Sequence, residues 1–313
     1  MRARRLGWIV PAVLAMVFLV GGATRAGGGS LAGCTPSAKS AWRACRAGAA
    51  SSAWLETGKC QQVASADERE DCTEEAGEAL ADEREECGEQ HEARLEVCDV
   101  LGEAPYDPEI VPANFVPAID NRFLPFVPGT TWTYEGETED GTETIVLEAT
   151  SETRVILGVT CTVVRDRAYL DGELIEDTRD WFAQDVLGNV WYFGERSYEI
   201  EDGEVVSIEG SWEAGVDGAR PGIVMPAAPE VGQVFRQEFL LGEAEDMGEM
   251  LSLDAAVTVP YGSFTGCRQT RDFSPLSPGS VEHKFYAAGV GLVLERHPVS
   301  GSRVELISMT SAP

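Results

Sequence analysis

Lysine and histidine are scarce in this chain. Of 313 residues, three are lysine (Lys39, Lys59, Lys284) and three are histidine (His91, His283, His297), against 53 aspartates and glutamates and a formal charge of −29. Arginine is common, but the excess of acids excludes electrostatic binding to nucleic acid, which needs basic surface, and argues against docking on anionic lipid. Catalytic signatures are also missing. There is no G-x-S-x-G, no H-E-x-x-H, no P-loop and no dinucleotide fingerprint. No C-x2-C or H-x3-H spacing occurs, which removes the usual zinc frameworks. Beyond the first residues, no apolar run approaches the roughly 20 residues of a membrane span.

What is present begins with a secretory pattern. Arg2, Arg4 and Arg5 precede an apolar run from Trp8 to Val20, and small residues offer cleavage after Ala23 or Ala26. A signal peptide over 1–26 is therefore expected. It contains four arginines and no acid, so its removal takes the charge from −29 to −33. Such acidity suits divalent cations or cationic partners, or a plain solvated surface. Leu31-Ala32-Gly33-Cys34 resembles a bacterial lipobox and offers a lipid anchor at Cys34 as the alternative to ordinary secretion. Either way the location is extracytoplasmic, secreted or periplasmic.

Six cysteines share one midpoint near residue 66. Folding the chain there nests them as Cys60–Cys72, Cys45–Cys87 and Cys34–Cys98. Cys34 and Cys45 are eleven apart, as are Cys87 and Cys98, about three helical turns, so each pair shares a helix face. Helices are expected from Ser37 to Thr57 and from Ala66 to Val97. Ser65 with Glu68 reads as a capping box, and Gly58 as a helix end. Residues 34–100 thus read as a disulfide-pinned antiparallel helical hairpin, similar in spacing to the twin C-x9-C hairpins.

Pro105, Pro108, Pro112 and Pro117 mark a linker over 101–118. Alternating strands and turn signals follow over 119–313. Strands are expected over 154–170, 173–184, 190–193, 252–259, 281–286 and 303–309, with a short helix over 243–251. Asp171-Gly172 and Gly188-Asn189 read as hairpin turns. A weak repeat relates about 150–200 to 255–300: Cys161 to Asp166 matches Cys267 to Asp272, and Trp181-Phe182-Ala183 matches Phe285-Tyr286-Ala287. A Cys161–Cys267 disulfide would complete an even set. The fold class is α+β: the helical hairpin, then a mainly antiparallel β domain forming a half-barrel, a barrel or two related sheets.

Three stretches carry a resemblance: 119–134 (IDNRFLPFVPGTTWTY), 210–222 (GSWEAGVDGARPG) and 286–293 (YAAGVGLV). They resemble an uncharacterised family of exported bacterial β-rich domains over about residues 115–310. The last phrase is similar to envelope proteins that form open half-barrels. The resemblance implies export and β structure, and it supplies no catalytic residues.

For chemistry, the best candidate is the glycine-rich stretch 211–222. Trp212 offers a stacking face, and Glu213, Asp217 and Arg220 offer polar partners. Glu213 with Asp217 could serve as a glycosidase-type carboxylate pair; the competing reading makes Trp212 a core plug. The acidic run 243–249 could ligate calcium but lacks EF-hand spacing, so no cofactor is expected. His283 reads as an ordinary half-exposed strand residue. The leading function is a non-catalytic binding protein for a small molecule or envelope component. The alternatives are an extracytoplasmic hydrolase and an adhesion protein acting through the hairpin.

Overall fold

The computed structural model describes residues 33–311. The signal segment and most of the lipobox lie outside them. The described chain forms two compact units, dividing between Tyr106 and Asp107.

The first unit is a pair of helices, α1 (Cys34–Cys60) and α2 (Ala66–Leu101). The Ser65 side chain accepts from the Glu68 backbone N–H at 3.4 Å and caps α2, whose first turn carries Asp67 and Glu68, where the helix dipole favours negative charge. Gly58 does not end α1; the helix runs on to Cys60, which is tied to α2. Disulfides join Cys34–Cys98, Cys45–Cys87 and Cys60–Cys72, with Cα separations of 5.5, 5.8 and 5.6 Å. The seam between the helices is thin: Ala38, Ala49, Ala76, Val97 and the cystines supply most of it. Trp42 stacks on His91 at 5.4 Å, and the Arg46 guanidinium lies 5.1 Å from the centre of the Trp42 ring. Three disulfides in one hairpin belong to an oxidising, extracytoplasmic compartment. No helix among the described residues is long and apolar enough to cross a membrane.

The second unit has seventeen strands: β1 (Phe115–Val116), β2 (Thr131–Glu137), β3 (Thr142–Ile156), β4 (Val159–Leu170), β5 (Glu173–Asp185), β6 (Val190–Arg196), β7 (Glu199–Glu201), β8 (Glu204–Ser207), β9 (Trp212–Glu213), β10 (Arg220–Met225), β11 (Val234–Arg236), β12 (Glu238–Phe239), β13 (Met247–Val259), β14 (Gly262–Phe273), β15 (Val281–Ala287), β16 (Gly291–Arg296) and β17 (Arg303–Thr310). All pairings are antiparallel. They run from β13 through β14, β15, β16 and β17 to β2, then through β3, β4 and β5 to β6 and β10. The bent segment β11–β12 pairs with β10 through β12 and with β13 through β11. The sheet therefore curls to near closure as a barrel, which removes most exposed edges.

The expected strand 154–170 is two strands. Leu157 (φ 49°) and Gly158 (φ 80°) form a left-handed turn between β3 and β4. Residues 107–118, read as linker, add the short strand β1 against β5. The expected helix 243–251 is a turn followed by β13. Pairing with β11 and β14 and burial of Met247 and Met250 override its helix-favouring composition. The matched segments of the repeat occupy corresponding strands of two meanders, β4–β5–β6 and β14–β15–β16. The Cys161–Cys267 bond is not formed: both thiols are free and buried. Cys161 lies on β4 and Cys267 on β14, with β15, β16, β17, β2 and β3 between them in the sheet, so each packs as a small apolar side chain.

Candidate functional site

Antiparallel register fixes which side chains share a face, because directly paired residues point to the same side. Inside the barrel the pairs run Tyr134–Ile145, Leu147–Asp166–Thr178, Val164–Asp180–Glu195, Asp272–Glu282 and Lys284–Glu295. The interior divides into an apolar part and an acidic part.

The segment 119–126 fills the apolar part. Ile119, Phe123, Leu124 and Phe126 pack among Trp132, Tyr134, Val164, Tyr286 and Leu306. Asn121 Oδ1 accepts from the backbone of Phe123 and Leu124, and Gln184 Oε1 accepts from the backbone of Asp120 and Asn121. Trp132 Nε1 donates to the Val290 carbonyl at 2.7 Å, and Tyr134 donates to the Leu292 carbonyl at 3.0 Å. The stretches 119–134 and 286–293 thus build one plug. From it an aromatic series crosses the wall: Phe126 to Phe182 and Phe182 to Tyr192 at 4.8 Å each, then Tyr192 to Trp212 at 5.3 Å.

The acidic part holds two groups of carboxylates. On β5, β6, β12 and just before β13 stand Asp180, Glu195, Glu238 and Asp246. Burial raises the pKa of all four; nearby acids add to it, among them Glu195 for Asp180, Asp246 for Glu195 and Glu238, and Asp272 for Asp246. Glu195 rises to about 7 and Asp246 to about 6. Tyr192 donates to Asp180 at 2.7 Å and partly offsets the rise there. Asp166 is likewise raised by burial and by the surrounding acids, although it keeps some accessible surface. By register Asp166 shares its face with Leu147 and Thr178.

The second group surrounds Lys284, the one lysine after residue 59. Its ammonium lies 3.2 Å from Glu282, 3.5 Å from Glu295 and 3.6 Å from Asp272. Burial opposes the charged lysine, but these carboxylates outweigh it and hold its pKa well above the ordinary value. His297 Nε2 sits 3.5 Å from Glu282 and 4.0 Å from Glu295.

The raised carboxyls set a pH dependence. Above the unfolded pKa near 4, the unfolded chain has released protons that folded Glu195 and Asp246 still hold, so unfolding becomes easier as pH rises. Each group costs about 1.4 kcal/mol per pH unit until its folded pKa is passed. Metal-free protein should therefore lose stability between about pH 4.5 and 7, measured by urea unfolding. Glu195→Gln should flatten that slope, and a slope unchanged in the variant would assign the effect to surface repulsion instead. The groups facing Glu195 are Tyr192 on its own strand, Asp180 and Glu176 on β5, Asp166 on β4, Glu238 on β12 and Asp246 before β13.

The residues singled out over 211–222 do not converge. Trp212 is buried in the second core cluster, Glu213 pairs with Arg154 and Arg220 pairs with Asp107. Asp217 is exposed in a turn at φ 50°. The run 243–249 does not gather ligands either: Glu245 accepts from the Gly242 N–H, while Asp246 turns toward Glu195 and Glu238. Composition hid the lumen carboxylates, because acids at alternate strand positions ordinarily mark a solvated face.

No protein-family profile matches the chain, and no curated protein does. One solved structure is similar, a candidate lipoprotein from Parabacteroides distasonis ATCC 8503. The similarity covers 61% of this chain and 99% of that one at 12% identity, with a TM-score of 0.35.

Proposed function

We propose that this protein is an extracytoplasmic, envelope-associated binding module that takes a positively charged small molecule into its barrel without transforming it. The observation that carries this reading is the acidic interior: Asp166, Asp180, Glu195, Glu238 and Asp246 beside the aromatic ring of Tyr192. Carboxylates next to aromatic rings are the usual surroundings of a bound amine or quaternary ammonium. A lipid on Cys34 would exclude the Cys34–Cys98 bond, because one sulfur carries one or the other; with the bond formed, secretion without an anchor at Cys34 is the reading favoured.

The test is a thermal-shift panel on the full chain with spermidine, choline, neutral glycans and fatty acids. Organic cations should raise Tm, by the equivalent of about 2.7 kcal/mol at a hundredfold excess over Kd, and Asp180→Asn with Glu195→Gln should abolish the shift. A response confined to glycans or fatty acids would overturn the reading. The second reading is a hydrolase, favoured by the directly paired carboxyls Asp180 and Glu195. Turnover of an added ester or glycoside that disappears in Glu195→Gln would select it.

A further inference from the structure

We infer that Glu282, Glu295 and His297 form a binding site for a divalent transition-metal ion of the zinc or manganese class. The inference does not rest on the organic ligand proposed above: its three ligands stand on β15 and at the end of β16.

The three ligand atoms lie within 4.8 Å of one another. The strand register brings this about. His283 pairs with Arg296, so Glu282 falls beside His297 across β15 and β16, while Glu295 precedes His297 by two residues and shares its face. The separations of 3.5 and 4.0 Å from the imidazole nitrogen are long for hydrogen bonds. They lie near the edge of a tetrahedron, about 3.4 Å, around an ion with ligands at about 2.1 Å. His297 is also held by its backbone: its N–H donates to the Ser302 carbonyl at 3.0 Å, and its carbonyl accepts from Gly301 at 2.9 Å.

Charge makes the same case. Asp272, Glu282 and Glu295 surround the single ammonium of Lys284. Three carboxylates against one ammonium leave two negative charges, which a divalent ion would neutralise. An independent sign of missing positive charge is Asp272. Its Oδ2 accepts from Gln237 and faces Lys284, but its buried Oδ1 has no partner, and the residue is only 7% exposed. A buried oxygen left unpaired costs free energy that a nearby cation would reduce. One imidazole with two carboxylates favours zinc or manganese over calcium, which prefers an all-oxygen shell.

The test is isothermal titration calorimetry on chelator-stripped full chain with zinc, manganese and calcium chlorides. One zinc or manganese ion per chain is expected, with Kd of about 1 μM or tighter. His297→Ala and Glu295→Gln should each weaken it about tenfold or more. His283→Ala should leave it unchanged, because His283 turns to the opposite face toward Gln269 and Arg296. Should a variant misfold by circular dichroism, the milder His297→Gln replaces it. No binding below millimolar concentration, or zinc binding indifferent to His297, would overturn the site. Calcium binding of equal strength that ignores His297 would do so too.

Discussion

Reduction with excess dithiothreitol should unfold the helical hairpin while the β unit keeps its strand signal. The expectation follows from what the hairpin has besides its disulfides. Its buried apolar side chains are chiefly alanines and Val97, so burial contributes little. Along α2, Glu70 and Glu74, Glu74 and Glu78, Asp82 and Glu86, and Glu85 and Glu89 are like-charged pairs at i,i+4, each destabilising by a few tenths of a kcal/mol. Against this the three bonds each contribute about 2–4 kcal/mol, mainly by restricting the unfolded chain, in a model-dependent account. They close spans of 64, 42 and 12 residues. Far-UV circular dichroism before and after reduction reads the result. Helicity that survives reduction would show that the alanine seam is sufficient. The β unit provides the internal control, since its two cysteines are unpaired and buried.

The hairpin was legible because cysteine spacing is a geometric signal. Eleven-residue intervals place Cys34 with Cys45 and Cys87 with Cys98 on single helix faces, and a shared midpoint admits one antiparallel register. The antiparallel strands were legible from alternation and from turns such as Asp171-Gly172, where φ is 50° and 89°. The lumen was not. Alternation reveals two faces but not which one is inside, and the barrel places a charged face inward. Reading His283 as an ordinary half-exposed strand residue says nothing of its neighbours: Glu282 and Lys284 lie on the inward face and His283 turns away. For Trp212 the sequence offers two readings, a stacking face in a glycine-rich loop and a core plug, and the ring lies buried in the second core cluster. The stretch 243–251 read as a helix because Glu, Ala, Met and Leu favour one, and only the pairing of β13 with β11 and β14 decides otherwise. A usable signal was present in composition: in a strand region whose other side-chain cations are arginines and histidines, Lys284 is the single lysine after residue 59.

Its three acidic neighbours make Lys284 the position of greatest sensitivity in the β unit. Lys284→Met should cost about 3 kcal/mol at pH 7.5, in the range for removing one partner of a buried ion pair. Methionine matches the length and shape of the lysine stem, so lost packing contributes little. What is lost is the ammonium that faces Asp272, Glu282 and Glu295 at 3.2 to 3.6 Å. The three carboxylates would then repel one another in a site with limited water, and Glu295, already raised by burial, would rise further. Protonation offers an escape, so the deficit should shrink as pH falls toward 5. Lys284→Arg, which keeps the charge, should recover most of the stability. Urea unfolding of the full chain in chelator, followed by tryptophan fluorescence at both pH values, separates these outcomes. A Lys284→Met protein within about 0.5 kcal/mol of the parent at pH 7.5, the scale of an ordinary surface substitution, would mean that the carboxylates around Lys284 are solvated. The lumen would then be a wet surface, without the field that draws a cation into it.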